Sequence, residues 1–229
     1  MIKNKIFLFF GPPGSGKGSL SSMCVEHFGW KHISTGDLCR EHIKLGTAIG
    51  KQIKAASEQG KFVSDEIVAG MVADWIIDQK EVSQDFILDG YPRTRKQAEM
   101  LDLLMQERLQ NFQLVLVKLN INSDLLADRI VNRVSCSNKD CGQIYSTSAA
   151  SKSKPKVSMV CDKCGSSLVR RSDDSLEALK LRLQAYYQHE QEVIDFYIDK
   201  GLNIEMLNGD QSVQDVFEDF KIVLQKYDY

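Results

Sequence analysis

The chain has 229 residues, 29 Lys and Arg against 31 Asp and Glu, a formal net charge of -2 and 43% hydrophobic residues, enough for one good core with small inserted lobes or for two modest domains. The slight acidic excess argues against a dedicated nucleic-acid binder, which ordinarily carries a basic surplus. No uncharged apolar run reaches the length of a membrane span, and Lys3 and Lys5 precede only a short apolar stretch, so no membrane partner is expected and the cytoplasm is the expected compartment.

The first predicted element is a short buried strand, Ile6 to Phe10, which runs into Gly11-Pro12-Pro13-Gly14-Ser15-Gly16-Lys17-Gly18-Ser19 and then a helical pattern to Phe28. Strand, glycine-rich turn and helix start build a nest of backbone N–H groups suited to the β-phosphate of a nucleotide. Lys17 would reach the terminal phosphates, and Ser19 is placed to meet them or a hydrated Mg²⁺. Gly18 after the lysine, rather than Ser or Thr, speaks against a generic GTPase. A glycine turn without a ligand is the competing reading, and it needs another reason for three glycines and a lysine at one junction.

A weaker strand follows near His32-Ile33. Residues 34–63 read as a small lobe on two hinges, built of short helices broken by Gly46, Gly50 and Gly60. Then come a helix over Asp65 to Gln79, a strand at Phe86 to Leu88, a helix at Thr94 to Leu109, a strand at Leu114 to Leu119 and a helix at Ser123 to Val131. Past residue 171 the pattern gives a long helix, Ser172 to Ile198, a strand at Ile204 to Leu207 and a helix at Ser212 to Gln225. Strands separated by helices predict an α/β fold with a parallel sheet and ligands at the carboxyl ends of its strands. In the long helix Leu176, Leu179, Leu183, Tyr186, Tyr187, Ile194 and Tyr197 recur near one face and are expected in the core. Asp89 ends its strand, where it would sit beside the phosphate loop and hold a water on Mg²⁺, or shape the turn before Gly90.

Residues 132–170 are too polar to fold on apolar burial alone and too long for an ordinary loop. Cys24 and Cys39 stand alone in helical context and read as partly buried thiols of no special role. Cys136, Cys141, Cys161 and Cys164 form two pairs, which in a reducing compartment favours a metal over disulfides. Cys161-Asp162-Lys163-Cys164-Gly165 has the compact turn of a zinc knuckle; the first pair is a wider Cys-x4-Cys. Four sulfurs predict a closed, structural Zn²⁺ site that supplies folding free energy; the alternative is a lobe folded by side-chain contacts whose first pair binds nothing. Arg133, Lys139, Lys152, Lys154, Lys156, Lys163, Arg170 and Arg171 face only Asp140 and Asp162, a local charge of +6. A basic lobe on an acidic body suits nucleotide phosphates, and equally RNA.

Phosphoryl transfer between nucleotides asks for cations and N–H groups around the phosphates with water shut out, and a monophosphate needs no dedicated base because it is already ionised. Arg40, Arg93, Arg129, Arg133, Arg171 and Arg182 carry planar forks that match phosphate oxygens. Asp173 and Asp174 would cap the long helix or pair with these arginines and fix their orientation.

With Gly11 to Ser19, His32 to Arg40, Leu88-Asp89-Gly90-Tyr91-Pro92-Arg93-Thr94, and Cys161 to Cys164 followed by Arg171-Ser172-Asp173-Asp174, the chain resembles the adenylate kinase family almost end to end, in its long-lid, zinc-bearing form common in bacteria. The resemblance implies a P-loop three-layer fold with a central parallel five-stranded sheet, a small helical AMP-binding lobe and a zinc-ribbon-like lid. Residues 1–33, 64–131 and 172–229 would form the core, 34–63 the AMP lobe and 132–171 the lid. The implied reaction is reversible transfer of the ATP γ-phosphoryl group to AMP with Mg²⁺, giving two ADP, by a cytoplasmic monomer whose partners are ATP, AMP and ADP. Gly11, Gly14, Ser15, Gly16, Lys17, Gly18, Ser19, Arg129 and Gly209 would hold ATP, with Arg129 against its adenine. Thr35, Arg40, Val63, Gly90, Arg93 and Gln97 would hold AMP, and Lys17, Asp89, Arg93, Arg133, Arg171 and Arg182 would serve the transfer. Cys136, Cys141, Cys161 and Cys164 would bind the zinc.

The chain departs from the family pattern at Ser19 for threonine, Leu20 for glutamine, Cys39 for leucine, Arg133-Val134-Ser135-Cys136 for a doubled arginine, and a Ser-, Ala- and Lys-rich stretch from Tyr145 to Lys156. Two other readings stand beside this one. A kinase for UMP or CMP, or one with GTP as donor, is opposed by Thr35 and the lid; a P-loop nucleic-acid binder with a zinc ribbon needs stacking aromatics, and Tyr145 is the one aromatic in the basic lobe.

Overall fold

The protein is described here by a computed structural model covering residues 4–58, 63–79, 84–138, 141–149, 151–171 and 174–227. In chain order the elements are β1 (Asn4–Phe10), α1 (Lys17–Phe28), β2 (Lys31–Ser34), α2 (Thr35–Leu45), α3 (Ala48–Glu58), α4 (Asp65–Gln79), β3 (Phe86–Asp89), α5 (Arg95–Arg108), β4 (Phe112–Asn120) and α6 (Ser123–Val131). They continue with β5 (Arg133–Cys136), β6 (Ile144–Ser146), β7 (Leu168–Val169), α7 (Leu176–Asp199), β8 (Ile204–Asn208) and α8 (Val213–Leu224). The α/β fold centres on one parallel sheet of five strands in the order β2-β3-β1-β4-β8. Among the described residues no helix is long and apolar enough to cross a membrane.

The chain divides into two compact units. The first comprises Met1–Phe10, Trp30–Val117 and His189–Ile204. Here β3 pairs in parallel with β1 (Leu8 beside Leu88) and with β2 (Ile33 beside Leu88). Ile6, Phe7, Leu8, Ile87 and Leu88 have no exposed surface, as continuous apolar runs require when a parallel strand is covered on both faces. Val72 and Ile76 of α4, Leu101 of α5 and Tyr197 of α7 pack into the same core, the three aliphatic side chains each worth about 1.5–3 kcal/mol of burial.

Inside this unit α2 ends at Gly46 in the left-handed conformation (φ 64°), as the sequence predicts. Gly50 is no break: it lies inside α3, and a Cβ on it would stand 2.0 Å from the His42 carbonyl oxygen. The glycine is there to let two helix backbones touch. The third predicted break, Gly60, lies outside the described residues, as do Ser172 and Asp173.

Asp85 is buried just before β3 and accepts the Lys5 backbone N–H at 2.5 Å. Burial raises its carboxyl above the usual range, opposed by that N–H and by the Lys5 charge. A raised native value means that stability is full below the unfolded value near 4 and declines as pH climbs through the native one. Asp85→Asn, which keeps an acceptor without the charge, is therefore expected to melt higher than the wild type at pH 7, the gap closing by about pH 4; melting curves across that range check it, and a gap that widens on acidification would contradict it.

The second unit comprises Gly11–Gly29, Lys118–Gln188 and Glu205–Tyr229. α8 lays Val216, Phe217, Phe220, Val223 and Leu224 inward, with His27 of α1 on the Phe217 ring at 4.7 Å. The polar stretch after α6 forms an antiparallel sheet, β6-β5-β7, which the sequence reading did not anticipate. Its core is Val134, Cys136, Tyr145, Cys161 and Leu168, too small a cluster to hold a lobe by burial alone. Lys163 of this lobe pairs with Glu26 of α1 at 3.0 Å.

α7 starts at Leu176, later than the predicted Ser172, because the Ser175 hydroxyl caps it by accepting the Ala178 N–H. Two residues expected in its core face are exposed instead, Leu176 (48%) and Tyr187 (56%), while Leu179, Ile194 and Tyr197 are buried. Leu176 sits in the first turn and Tyr187 on the margin of the stripe, where its ring meets Tyr186 edge-on.

Candidate active site and metal centre

In the second unit the turn after β1 is shaped by close approaches that leave no room for side chains. A Cβ on Gly11 (φ 143°) would lie 2.7 Å from Ser15 Oγ and 2.9 Å from the Leu119 carbonyl oxygen. Gly209 donates its N–H to the Asn120 carbonyl at 2.6 Å, and a Cβ on it would meet Asn120 O at 2.8 Å and Ser15 O at 3.1 Å. Gly14 packs the same way on Leu126 and Ile130 of α6. α1 opens at Gly16 with no side-chain cap and no acidic residue in its first turn, which carries Gly18 and Ser19. Its first N–H groups and positive dipole end thus meet no capping side chain and no carboxylate from the helix itself.

Lys17 bends back over this turn, its ammonium donating to Gly11 O (2.6 Å), Pro12 O (3.0 Å) and Ser15 Oγ (3.3 Å). Arg129 of α6 is beside Gly16, and burial lowers its guanidinium below the ordinary range while Asp210 works the other way. Asp174, 2% exposed at its side chain, grips Arg133 through two of its guanidinium nitrogens, Nη2 to Oδ1, and Nε to Oδ2 at 2.8 Å, and lies 3.9 Å from Arg182 Nη1. Of the two readings for Asp174, arginine pairing is the one realised. The Arg171 carbonyl accepts the Asp174 N–H.

In the first unit four of the six predicted acceptor residues, Thr35, Gly90, Arg93 and Gln97, form one bonded group. Thr35, buried at the start of α2, donates its hydroxyl to Gly90 O at 2.9 Å. Arg93 donates Nε to the same carbonyl at 2.7 Å and Nη2 to Thr35 Oγ1 at 3.3 Å. Gly90 has φ 73°, and a Cβ there would stand 2.8 Å from Arg93 Nη2, so only glycine permits this fold of the arginine. Gln97, 4% exposed, accepts the Arg93 N–H at 2.8 Å. Arg40 pairs with Asp37 at 2.6 Å, and Val63 packs half-buried on the core. Asp89 closes β3 opposite Phe9, with His32 Nε2 at 3.8 Å from its carboxylate.

The four predicted cysteines converge: their sulfurs all lie within 4.8 Å of one another. Cys136 and Cys164 are 3.4 Å apart and Cys141 and Cys161 3.6 Å, close to the ~3.8 Å edge of a tetrahedron with Zn–S bonds of about 2.3 Å. Burial pushes the Cys136 thiol up to about 12, whereas hydrogen bonds from the Ser166 hydroxyl and amide draw Cys164 down to about 6. The donor set fits a thiolate-preferring ion such as zinc, and the wider first loop does not prevent closure.

Sequence reasoning missed two contributors. Tyr145 is buried against the cluster, its hydroxyl 3.6 Å from Cys161 Sγ and accepting the Asp162 N–H; a lone aromatic between two cysteine pairs was the available sign. So placed, it offers no face to a nucleic-acid base. Asp65 bonds Gln97 and carries no motif that would reveal it.

Comparison with known proteins agrees with this geometry. The sequence model of the family described as Adenylate kinase matches residues 9–202. An adenylate kinase of Methanothrix thermoacetophila is 39% identical over 220 residues, covering 96% of this chain and 98% of its own length. Those of Caldanaerobacter subterraneus subsp. tengcongensis and Allorhizobium ampelinum are each 38% identical over 95% of this chain and 95% and 97% of theirs. By site, fold and sequence together, the chain belongs to the adenylate kinase family.

Proposed function

We propose that the family's reaction, reversible transfer of the terminal phosphoryl group of ATP to AMP with formation of two ADP, is carried in this chain by the two residue groups just described. The glycine turn from Gly11 to Ser19 cradles the donor phosphates, with Lys17 on the terminal pair, Arg129 and Gly209 beside the nucleotide, and Arg133, Arg171 and Arg182 on the phosphates. Thr35, Arg40, Val63, Gly90, Arg93 and Gln97 hold AMP. Residues 34–63 then act as the AMP lobe, 132–171 as the lid and the remainder as the core. The observation that carries this reading is the ammonium of Lys17 drawn into the mouth of a turn too tight for any side chain.

Chemically, an oxygen of the AMP phosphate attacks the γ-phosphorus in line as the bond to the bridging oxygen breaks, and that oxygen stays on ADP. Both nucleophile and leaving group are ionised, so the protein moves no proton; its work is orientation, charge neutralisation and exclusion of water. Asp174 supports this by holding Arg133 and Arg182 in register before the substrate arrives. Mg²⁺ bound with ATP neutralises phosphate charge, and Asp89 would hold one of its waters. Cys136, Cys141, Cys161 and Cys164 would hold a structural Zn²⁺, as the long-lid form of the family implies. A thiolate site needs a reducing compartment, and one chain supplies residues for both nucleotides, which supports a cytoplasmic monomer.

The test is ADP formation from ATP plus AMP with and without Mg²⁺, run on the wild type and on Arg93→Ala. The variant is expected to lose several kcal/mol of transition-state stabilisation, roughly a thousandfold in kcat/KM, because a charged donor leaves a preorganised site. A value within about threefold of wild type, below ~1 kcal/mol, would remove Arg93 from this role.

A further inference from the structure

The side chain of Gln97 is closed in, and its amide is engaged at both ends. Oε1 accepts the Arg93 backbone N–H at 2.8 Å, while Nε2 donates to Asp65 Oδ1 at 2.7 Å. The two ends of an amide are alike in shape, so partners decide which way it points. These partners leave no choice: an ionised carboxylate offers only oxygens and a backbone N–H only a proton. Half a turn of the amide would set oxygen against carboxylate and N–H against N–H.

Those two bonds use one of the two amide protons and one of the two lone pairs. What remains is a single donor and a single acceptor in a fixed order. Asp65 itself is well placed to impose it. It is the first residue of α4, whose start is capped by Ser64 accepting the Ile67 N–H, and its neighbour Glu66 is ion-paired to Lys96. Consecutive residues of α4 thus hold consecutive residues at the start of α5.

We propose that Asp65 is a positioning residue that makes this enzyme select adenine over hypoxanthine and guanine at the acceptor site, by locking the Gln97 amide in one orientation. Adenine presents an amino donor at position 6 beside an acceptor ring nitrogen; hypoxanthine and guanine present a carbonyl acceptor beside a ring N–H. A fixed amide complements one of these edges, whereas one free to turn complements both. Sites that match a substrate's polar groups reject the mismatched analogue because buried groups then go unpaired. The inference rests on the proposed function, in which Gln97 is one of the residues that hold AMP, and takes Gln97 as the one that meets its base.

Asp65→Asn is the discriminating change, since its amide can present either oxygen or NH₂ at nearly constant volume. The readout is kcat/KM with AMP divided by kcat/KM with inosine monophosphate, alongside melting temperature. The expected result is a ratio at least tenfold lower than wild type, with the loss for AMP falling on KM more than on kcat. A ratio within twofold of wild type would overturn the proposal, and so would an equal loss for both substrates, the mark of a merely structural residue. Gln97→Leu run in parallel separates the two layers. If it collapses the ratio while Asp65→Asn does not, the role of Asp65 fails alone; if neither moves the ratio, the assignment of Gln97 to the base fails with it.

Discussion

Lys17→Met is expected to lower kcat/KM by about a thousandfold or more, corresponding to ~4 kcal/mol of lost transition-state stabilisation. Methionine keeps the unbranched stem and removes the charge, so the change isolates the ammonium. That ammonium is gathered by Gly11 O, Pro12 O and Ser15 Oγ at the open end of the turn, where a phosphate chain would meet it on one side and the first N–H groups of α1 on the other. Gly11 and Gly209 keep the turn this tight, since a Cβ on either would collide with neighbouring atoms. Steady-state ADP production by the purified variant, with circular dichroism to show an unchanged fold, measures the effect. Activity within about threefold of wild type would mean that the turn does not grip the donor.

Removing the metal is expected to have the second large effect. Protein purified without added metal should carry about one zinc per chain, and a chelator or Cys161→Ser should open the cysteine lobe to protease between the two cysteine pairs. Structural zinc contributes roughly 10 kcal/mol or more to the folding of small modules, and the alternative here is thin: among the described residues, a hydrophobic cluster of five buried side chains, two of them cysteines of the quartet, and a sheet of three short strands. Serine in place of Cys161 also removes the sulfur against which the Tyr145 hydroxyl lies. Metal analysis finding none in an equally protease-resistant wild type would sink the zinc assignment.

Much of this was legible in the sequence wherever one local signal was enough. Ile6 to Phe10 and Phe86 to Leu88 show continuous apolar runs, and both are fully buried strands; Asp65 to Gln79 matched its helix end to end. The phosphate turn and the cysteine quartet were visible because each needs fixed residue types at short spacing. What stayed hidden depends on contacts distant in sequence. The strands of the cysteine lobe are only two to four residues long and lack a period to detect. Asp65 reads as an ordinary first-turn acid until the fold sets it against Gln97, 32 positions away. Leu176 and Tyr187 show the converse limit: the stripe of α7 marks a face, and packing decides how far along the helix that face is covered.

Gly50 carries a mechanical consequence. With the carbonyl of His42 pressed against its α-carbon, α2 and α3 cannot press closer or slide past one another at this crossing without collision, so the pair resists bending there. Under the acceptor role proposed for these residues, any excursion of the pair during turnover would be taken up where the chain enters and leaves it, so its grip on a monophosphate would be set by how far it swings and not by how much it bends.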